Sequence, residues 1–208
     1  MLRPAWSDEN LRAICQQVRS RLFFAHVRAA TGTATSRANC HPFAAGRFMF
    51  MHNGQVGGFG PIRRRVEAMI PDAVYPLRGG TTDSEALFLA AMGFGLERDP
   101  PGAIAAMLGA VRAAMDDAGI TQALRFAAAL TDGQTLWAFR WSSDRRAPTL
   151  YYRAVEDGLV VVSEPTDEDH GNWHAVTASS LLISAPGRAL EIKPFEPLAS
   201  VRQAAAAE

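Results

Sequence analysis

The stretch FMFMHNGQVGGF, Phe48 to Phe59, decides how the first half of this chain is expected to fold. Its four bulky apolar residues predict a buried strand over Phe48 to Met51, after which the polar triplet HNG interrupts the pattern. An Asn-Gly pair after an apolar run is the usual signal for a tight hairpin. No returning strand follows, because two glycines lead into a helical pattern over Pro61 to Ile70. We therefore expect Asn53-Gly54 to end the strand and to serve a purpose other than a hairpin turn.

Composition narrows the class of protein. The chain has 208 residues, of which 48% are hydrophobic, and this proportion suits a globular core. Lys plus Arg equals Asp plus Glu at 21 each, so there is no electrostatic case for nucleic acid or an anionic membrane surface as a partner. The two cysteines, Cys15 and Cys40, do not make a disulfide framework. Neither a signal peptide nor an apolar run of about 18 residues is present. We expect a cytoplasmic protein.

Helical patterns dominate the first 120 residues. Ser7 can cap a helix that carries Leu11, Ile14 and Val18 on one face, and the apolar run from Leu22 to His26 predicts a short buried strand. Two further helices are predicted behind start signals: the capping-box sequence TTDSE opens one that runs to about Leu96, and a Pro-Pro pair opens one that Gly119 closes.

Strand patterns dominate the last 80 residues. Three hairpins are predicted, and they join residues 125–130 with 135–141, 150–153 with 159–163, and 181–184 with 189–193. The Ala-rich tail, residues 199–208, is expected to fray. Each half needs the other to cover an apolar face, so we predict a single α+β domain over residues 1–208.

Two charged residues could grip a ligand. Arg28 follows an apolar run, where a guanidinium needs an anionic partner; this is either a carboxylate of the same chain or the carboxylate of a ligand, which Arg can bind with two hydrogen bonds. Asp83 falls in the first turn of its helix, where it either compensates the helix dipole or faces a ligand ammonium. Taken singly, each residue is better explained by its structural role.

The Asn53-Gly54 pair offers an amide NH₂ and a backbone N–H with little bulk around them. That pairing suits an oxyanion hole, which needs fixed donors about 3 Å from the developing charge. His26, Cys40, His41 and His52 raise the question of a metal, but their spacing matches no zinc motif. We expect the histidine rings to have hydrogen-bond partners within the core or loops of the protein, and we expect neither a metal nor a cofactor.

Together, HVRAATG, NCHPF, HNG and TTDSE, in this order, resemble the class II glutamine amidotransferases, which are N-terminal-nucleophile hydrolases. The chain is most similar to the stand-alone branch that includes γ-glutamyl hydrolases. The resemblance implies a four-layer αββα sandwich of two antiparallel sheets between helices. It implies that Arg28 binds the substrate α-carboxylate, Asp83 the α-ammonium, and Asn53 with Gly54 the oxyanion, while Thr31 and Gly32 shape the pocket.

One feature of the family is not matched. Its nucleophile is a cysteine at the mature N-terminus, and this chain begins Met-Leu-Arg-Pro. We therefore expect that the nucleophile and the first strands of the fold lie outside this chain. The predicted function is cleavage of the side-chain amide of glutamine or a γ-glutamyl compound through a cysteine thioester. The alternative is a non-catalytic domain that binds such compounds or regulates another protein. A homo-oligomer and a separate synthase subunit both remain open as partners.

Overall fold

A computed structural model of the chain describes residues 8–27, 36–156, 158–168 and 170–199. Its α-helices are α1 (Glu9–Gln17), α2 (Phe59–Glu67), α3 (Asp83–Gly93) and α4 (Pro100–Asp117). Its strands are β1 (Phe43–Ala45), β2 (Phe48–Val56), β3 (Leu124–Thr131), β4 (Leu136–Ser142), β5 (Tyr151–Val155), β6 (Gly158–Val162), β7 (His174–Ala175), β8 (Ser180–Ser184) and β9 (Glu191–Pro194).

The strands form two antiparallel sheets. The larger sheet has six strands in the order β1-β2-β3-β4-β8-β9, and the smaller has three in the order β6-β5-β7. The three predicted hairpins are confirmed as the pairs β3–β4, β5–β6 and β8–β9. The predicted α+β fold with two antiparallel sheets and helices is thus confirmed.

Strand β2 is longer than the sequence suggested. It pairs with β3 from Met49, opposite Thr131, to Val56, opposite Leu124, so that the Asn53-Gly54 pair lies inside the strand. The expectation that the strand ends before this pair was wrong, because the partner that prolongs it is distant in sequence. The hairpin that contains β2 lies on its N-terminal side instead, where β1 pairs with it across a turn.

The two faces of β2 have different surroundings. Phe48, Phe50 and His52 are buried, and they lie on the face that α3 covers; the Phe50 ring stacks on Phe88 of that helix at 5.3 Å between centroids. Met51 and Asn53 alternate with them and lie on the opposite face, as the two-residue period of a strand requires. The main hydrophobic core therefore fills the space between the six-stranded sheet and helices α2 to α4.

A second, smaller core lies between the two sheets. Its buried residues are Ala138, Leu150, Val176 and Leu182. The sheets make close apolar contact at this cluster, and elsewhere they leave room for a cleft.

The N-terminal region differs most from expectation. Leu22 to His26 forms no strand, and α1 follows Asp8, whose carboxylate accepts a hydrogen bond from Leu11 N at 3.0 Å. Ser7, the predicted cap, lies outside the described residues, as does the tail from residue 200. No side chain of α1 is buried, and Ile14 is 51% exposed, so its predicted apolar face is not packed against the described residues. Within the described part of the chain, no helix is long and apolar enough to cross a membrane.

Candidate active site

A cleft of about 800 Å³ is lined by residues of both sheets and of the N-terminal end of α3. Strands β2 and β3 contribute one wall, and β6 with the loop that follows it contributes residues of another. The residues that line it include His26, His41, Asn53, Gly54, Asp83 and Ser84. The cleft thus brings together residues from all four motifs, HVRAATG, NCHPF, HNG and TTDSE.

Asn53 and Gly54 are both exposed and line the cleft. A side chain at position 54 could not be accommodated: its Cβ would lie 2.0 Å from the carbonyl oxygen of Arg125 and 2.5 Å from Nε2 of His52. The close approach of β3 and of the histidine ring therefore explains why glycine occupies this position.

Asp83 is the first residue of α3 and is half-buried beside the C-terminal end of β2. Its Oδ2 accepts a hydrogen bond from Val56 N at 2.7 Å, and its Oδ1 accepts one from Ser84 N at 2.8 Å. Thr82 caps the helix as predicted, because its hydroxyl accepts from Glu85 N at 3.3 Å. The carboxylate is thereby fixed at the cleft, two residues along the strand from Gly54.

His52 lies beneath this segment and is only 3% exposed. Its Nδ1 is 2.9 Å from Ser84 Oγ, and its Nε2 is 3.2 Å from the carbonyl oxygen of Arg125. Burial lowers the pKa of the imidazole from its ordinary value, while the Asp83 charge and the Arg125 carbonyl act in the opposite direction. The expectation of a satisfied histidine is confirmed for His52.

The loop before α3 is held by contacts that the sequence did not reveal. In a capping box Glu85 would reach back to the Thr82 N–H, but its carboxylate instead accepts hydrogen bonds from Gly79 N at 2.9 Å and Gly80 N at 2.8 Å. The same carboxylate pairs with Arg78, whose guanidinium also binds Glu67 at 3.0 Å. These contacts position the N-terminal end of α3, and with it Asp83.

A second support comes from the segment before β1. Asn39 is 2% exposed, and its Oδ1 accepts a hydrogen bond from Thr81 N at 2.8 Å. This bond joins the region around NCHPF to the region around TTDSE. The order of motifs along the sequence signalled that these regions belong to one site, but not which atoms connect them.

Three predicted site residues, Arg28, Thr31 and Gly32, lie outside the described residues. His26 and Val27, just before them, line the cleft. The rings of His26 and His41 are 4.2 Å apart. Within the described part of the chain, no three His, Cys, Asp or Glu side chains are grouped so that they could hold a metal ion.

Neither cysteine is among the described residues that line the cleft. Cys15 is exposed on α1, and the thiol of Cys40 donates to the carbonyl oxygen of Ser36 at 3.4 Å. The cleft therefore holds no thiol from the described residues.

Known proteins resemble this chain in sequence and in fold. The family model for glutamine amidotransferases class-II matches residues 7–154. A glutamine aminotransferase class-II domain protein from Silicibacter pomeroyi has a solved structure that superposes with a TM-score of 0.85 and 44% identity, over 95% of this chain and 85% of that one. The chain belongs to the class II glutamine amidotransferase family.

Two curated proteins of related name are similar to this chain. The probable glutamine amidotransferase DUG3 of Saccharomyces cerevisiae is 32% identical over 222 residues, covering 87% of this chain and 62% of the relative. The γ-glutamyl-hercynylcysteine sulfoxide hydrolase of Mycolicibacterium smegmatis is 28% identical over 171 residues, covering 81% of this chain and 63% of the relative. The chain thus spans a little over three fifths of the length of each.

Proposed function

We propose that this chain is an amidohydrolase domain that cleaves the side-chain amide of glutamine or of a γ-glutamyl compound through a cysteine thioester. The observation that carries the proposal is the placement of Asn53-Gly54 and Asp83 on one cleft, with Asp83 bonded to the strand two residues beyond Gly54. Membership of the class II glutamine amidotransferase family supports it. We further propose that residues 1–208 belong to a single domain of this type.

Each residue has a proposed task. The Asp83 carboxylate receives the α-ammonium of the glutamyl group, and Arg28 receives its α-carboxylate, while Thr31 and Gly32 shape the pocket. Fixing both α-groups leaves the side-chain amide in one position, so that attack on its carbonyl becomes effectively unimolecular. Asn53 and the Gly54 N–H then stabilise the charge that develops on the carbonyl oxygen.

The reaction proceeds in two acyl transfers. A thiolate attacks the side-chain carbonyl carbon, and the tetrahedral intermediate collapses with loss of ammonia or an amine, which takes a proton as it leaves. Water then attacks the thioester and releases the glutamyl carboxylate and the thiol. The oxyanion hole serves both steps, because each passes through the same type of charged intermediate.

The nucleophile is proposed to be a cysteine outside this chain. The positions of Cys15 and Cys40, neither of them among the described residues lining the cleft, support this assignment. The same observation favours the second candidate, a non-catalytic domain that binds glutamine or γ-glutamyl compounds.

The decisive experiment compares residues 1–208 with a form extended by the residues encoded upstream of Met1 and processed to begin with a cysteine. We expect no hydrolysis of glutamine or γ-glutamyl amides above background from the 208-residue chain at any pH. The extended form should hydrolyse them, and replacing its first cysteine by alanine should abolish turnover. Turnover by the 208-residue chain itself would contradict the proposal and direct attention to Cys40. An inactive extended form that still binds glutamine would favour the non-catalytic candidate.

Binding is tested separately with Asp83→Asn, by calorimetric titration of glutamine into the 208-residue chain. Loss of the charge should weaken binding by about 1.5–3 kcal/mol, the range for a hydrogen bond to a charged group. Asp99→Asn is the matched control, because Asp99 also stands at a helix N-terminus, where it caps α4 through Gly102 N at 3.1 Å. Equal affinities for wild type and Asp83→Asn would remove Asp83 from the site.

A further inference from the structure

We propose that His52 and Ser84 form a polar bridge that positions the Asn53-Gly54 pair relative to Asp83. In this assignment His52 is a positioning residue, which acts through the strand beside it and does not touch the substrate. The catalytic consequence of the bridge rests on the function proposed above. Its structural consequence does not, and can be measured on the chain alone.

The partners of the imidazole define its protonation pattern. A backbone carbonyl can only accept a hydrogen bond, so the 3.2 Å contact with Arg125 O requires a proton on Nε2. In the neutral ring Nδ1 is then an acceptor, and the Ser84 hydroxyl, 2.9 Å away, donates to it. The bridge therefore runs in one direction, from Ser84 through the ring to the β3 backbone.

Two connections between α3 and β2 enclose the candidate oxyanion residues. The bridge joins Ser84 to His52, immediately before Asn53, and the Asp83 carboxylate joins Val56 at 2.7 Å. Between them lie only Asn53, Gly54 and Gln55. Because Asp83 and Ser84 are adjacent in the first turn of α3, a shift of the helix would move both connections together. The spacing between the ammonium-binding carboxylate and the oxyanion donors is thus set by one rigid element.

The imidazole ring of His52 also packs against the Gly54 backbone. Its Nε2 lies 2.5 Å from the point where a Cβ of residue 54 would be, so the imidazole fills the space that a side chain would need. The Phe126 ring, at 5.0 Å between centroids, and the Phe50 ring, at 6.3 Å, hold the imidazole in place. A ring packed in this way limits how far the Gly54 backbone can move.

The charged groups around the ring determine how the bridge responds to acid. Asp83, on α3, is the charge that acts on the imidazole; the Arg125 guanidinium, on β3, is paired with Asp144 at 2.7 Å. Protonation would place a hydrogen on Nδ1, so that Ser84 Oγ would have to accept instead of donate. Its own hydrogen could then turn to Asp83 Oδ1, which is 3.4 Å away. Burial keeps the pKa of His52 low and so maintains the neutral arrangement.

The structural test compares Ser84→Ala with wild type in the 208-residue chain. Nitrogen-detected NMR of the imidazole should show the neutral Nε2–H form of His52 at pH 7, with a hydrogen-bonded Nδ1 signal that Ser84→Ala shifts to the unbonded position. Amide hydrogen exchange over residues 53–55 should accelerate about tenfold in the variant. The control is Phe88→Leu, which alters the packing of the same helix on the same strand without touching the bridge. A charged or Nδ1–H imidazole, or equal acceleration in both variants, would overturn the proposal.

The catalytic test uses the extended, cysteine-bearing form. Ser84→Ala should lower kcat about tenfold and change KM less than threefold, because the bridge acts on oxyanion donors that matter most in the transition state. Phe88→Leu should leave kcat within twofold where the protein is folded. An unchanged kcat in Ser84→Ala would overturn the proposal. If every extended form is inactive, the function proposed above fails, and NMR and exchange decide the bridge by themselves.

Discussion

The two faces of strand β2 have different roles: one packs in the main core and the other borders the cleft. On one face Phe48 and Phe50 are buried against the helices, in the main core of the molecule. On the other face, Met51 and Asn53 border the cleft. The apolar core between the two sheets is small by comparison, with four buried residues. One strand thus contributes to stability with alternate residues and to the candidate site with those between them.

This division explains how an open cleft can keep a fixed geometry. Under the proposed function, Asn53 and Gly54 line a cleft that admits a substrate, so they cannot be fixed by packing on that side. They are held instead by the buried residues that flank this exposed segment, His52 and Val56, and by β3, which pairs along the strand. Rigidity on the helix face is therefore a condition for a preorganised site on the cleft face.

The largest expected effect is a difference in stability between substitutions at two adjacent positions of β2, one on each face of the strand. Phe50→Ala removes a fully buried ring that stacks on Phe88, and it should lower the free energy of unfolding by about 3–5 kcal/mol. Met51→Ala removes a side chain of similar length from the half-buried cleft face, and it should cost about 1 kcal/mol or less. Urea unfolding of both variants measures the difference. Equal losses would mean that the cleft face is packed as tightly as the helix face.

The sequence predicted the elements whose partners are close along the chain. The three hairpins follow from strand patterns separated by short turns, and α4 follows from its Pro-Pro start. The full length of β2 did not follow, because the pairing that extends it to Val56 is made with β3, on the far side of three helices. The run from Leu22 to His26 has a strand-like composition but forms no strand, which composition alone could not indicate.

The candidate site was predicted by residue type and motif order more than by contact. Asn53, Gly54 and Asp83 were predicted in this way, and the structure places these three residues at one cleft. The His52–Ser84 contact was not predicted, because it joins residues 32 positions apart and the sequence pattern does not show which residues meet at that distance. The position of Ser84 next to Asp83 in TTDSE was the one available signal. The role of Glu85 was also misassigned, since a capping-box pattern does not reveal a competing partner such as Arg78.

A smaller effect on stability is expected at Gly54, which lines the cleft and also lies against the buried His52 ring. Gly54→Ala would place a methyl group 2.0 Å from the Arg125 carbonyl oxygen and 2.5 Å from His52 Nε2, so the strand pair or the ring must shift. We expect a loss of about 1–3 kcal/mol of stability, typical of overpacking. Glutamine binding should also weaken. Gly60→Ala is the control, since nothing lies within 4 Å of a Cβ at that exposed helical position. If both variants unfold at the same urea concentration, the contacts around Gly54 are looser than described.

The smallest expected effect is a dependence of stability on pH that comes from the buried side of β2. Burial holds the folded-state pKa of His52 below the ordinary value of 6.5, so the unfolded chain takes up a proton that the folded chain does not. The contribution of His52 is therefore fully present above pH 6.5 and declines as the pH falls from 6.5 towards the folded-state pKa. For one group the slope cannot exceed about 1.4 kcal/mol per pH unit.

Urea unfolding of wild type and His52→Gln across pH 5 to 7.5 tests this dependence. The wild type should lose more stability than the variant between pH 6.5 and 5, because the side chain introduced by His52→Gln does not titrate. Parallel curves would mean that the imidazole is as readily protonated in the folded chain as in the unfolded one. That result would place His52 in contact with water, and Asn53 and Gly54 would then lack the dry, rigid support that separates the two faces of their strand.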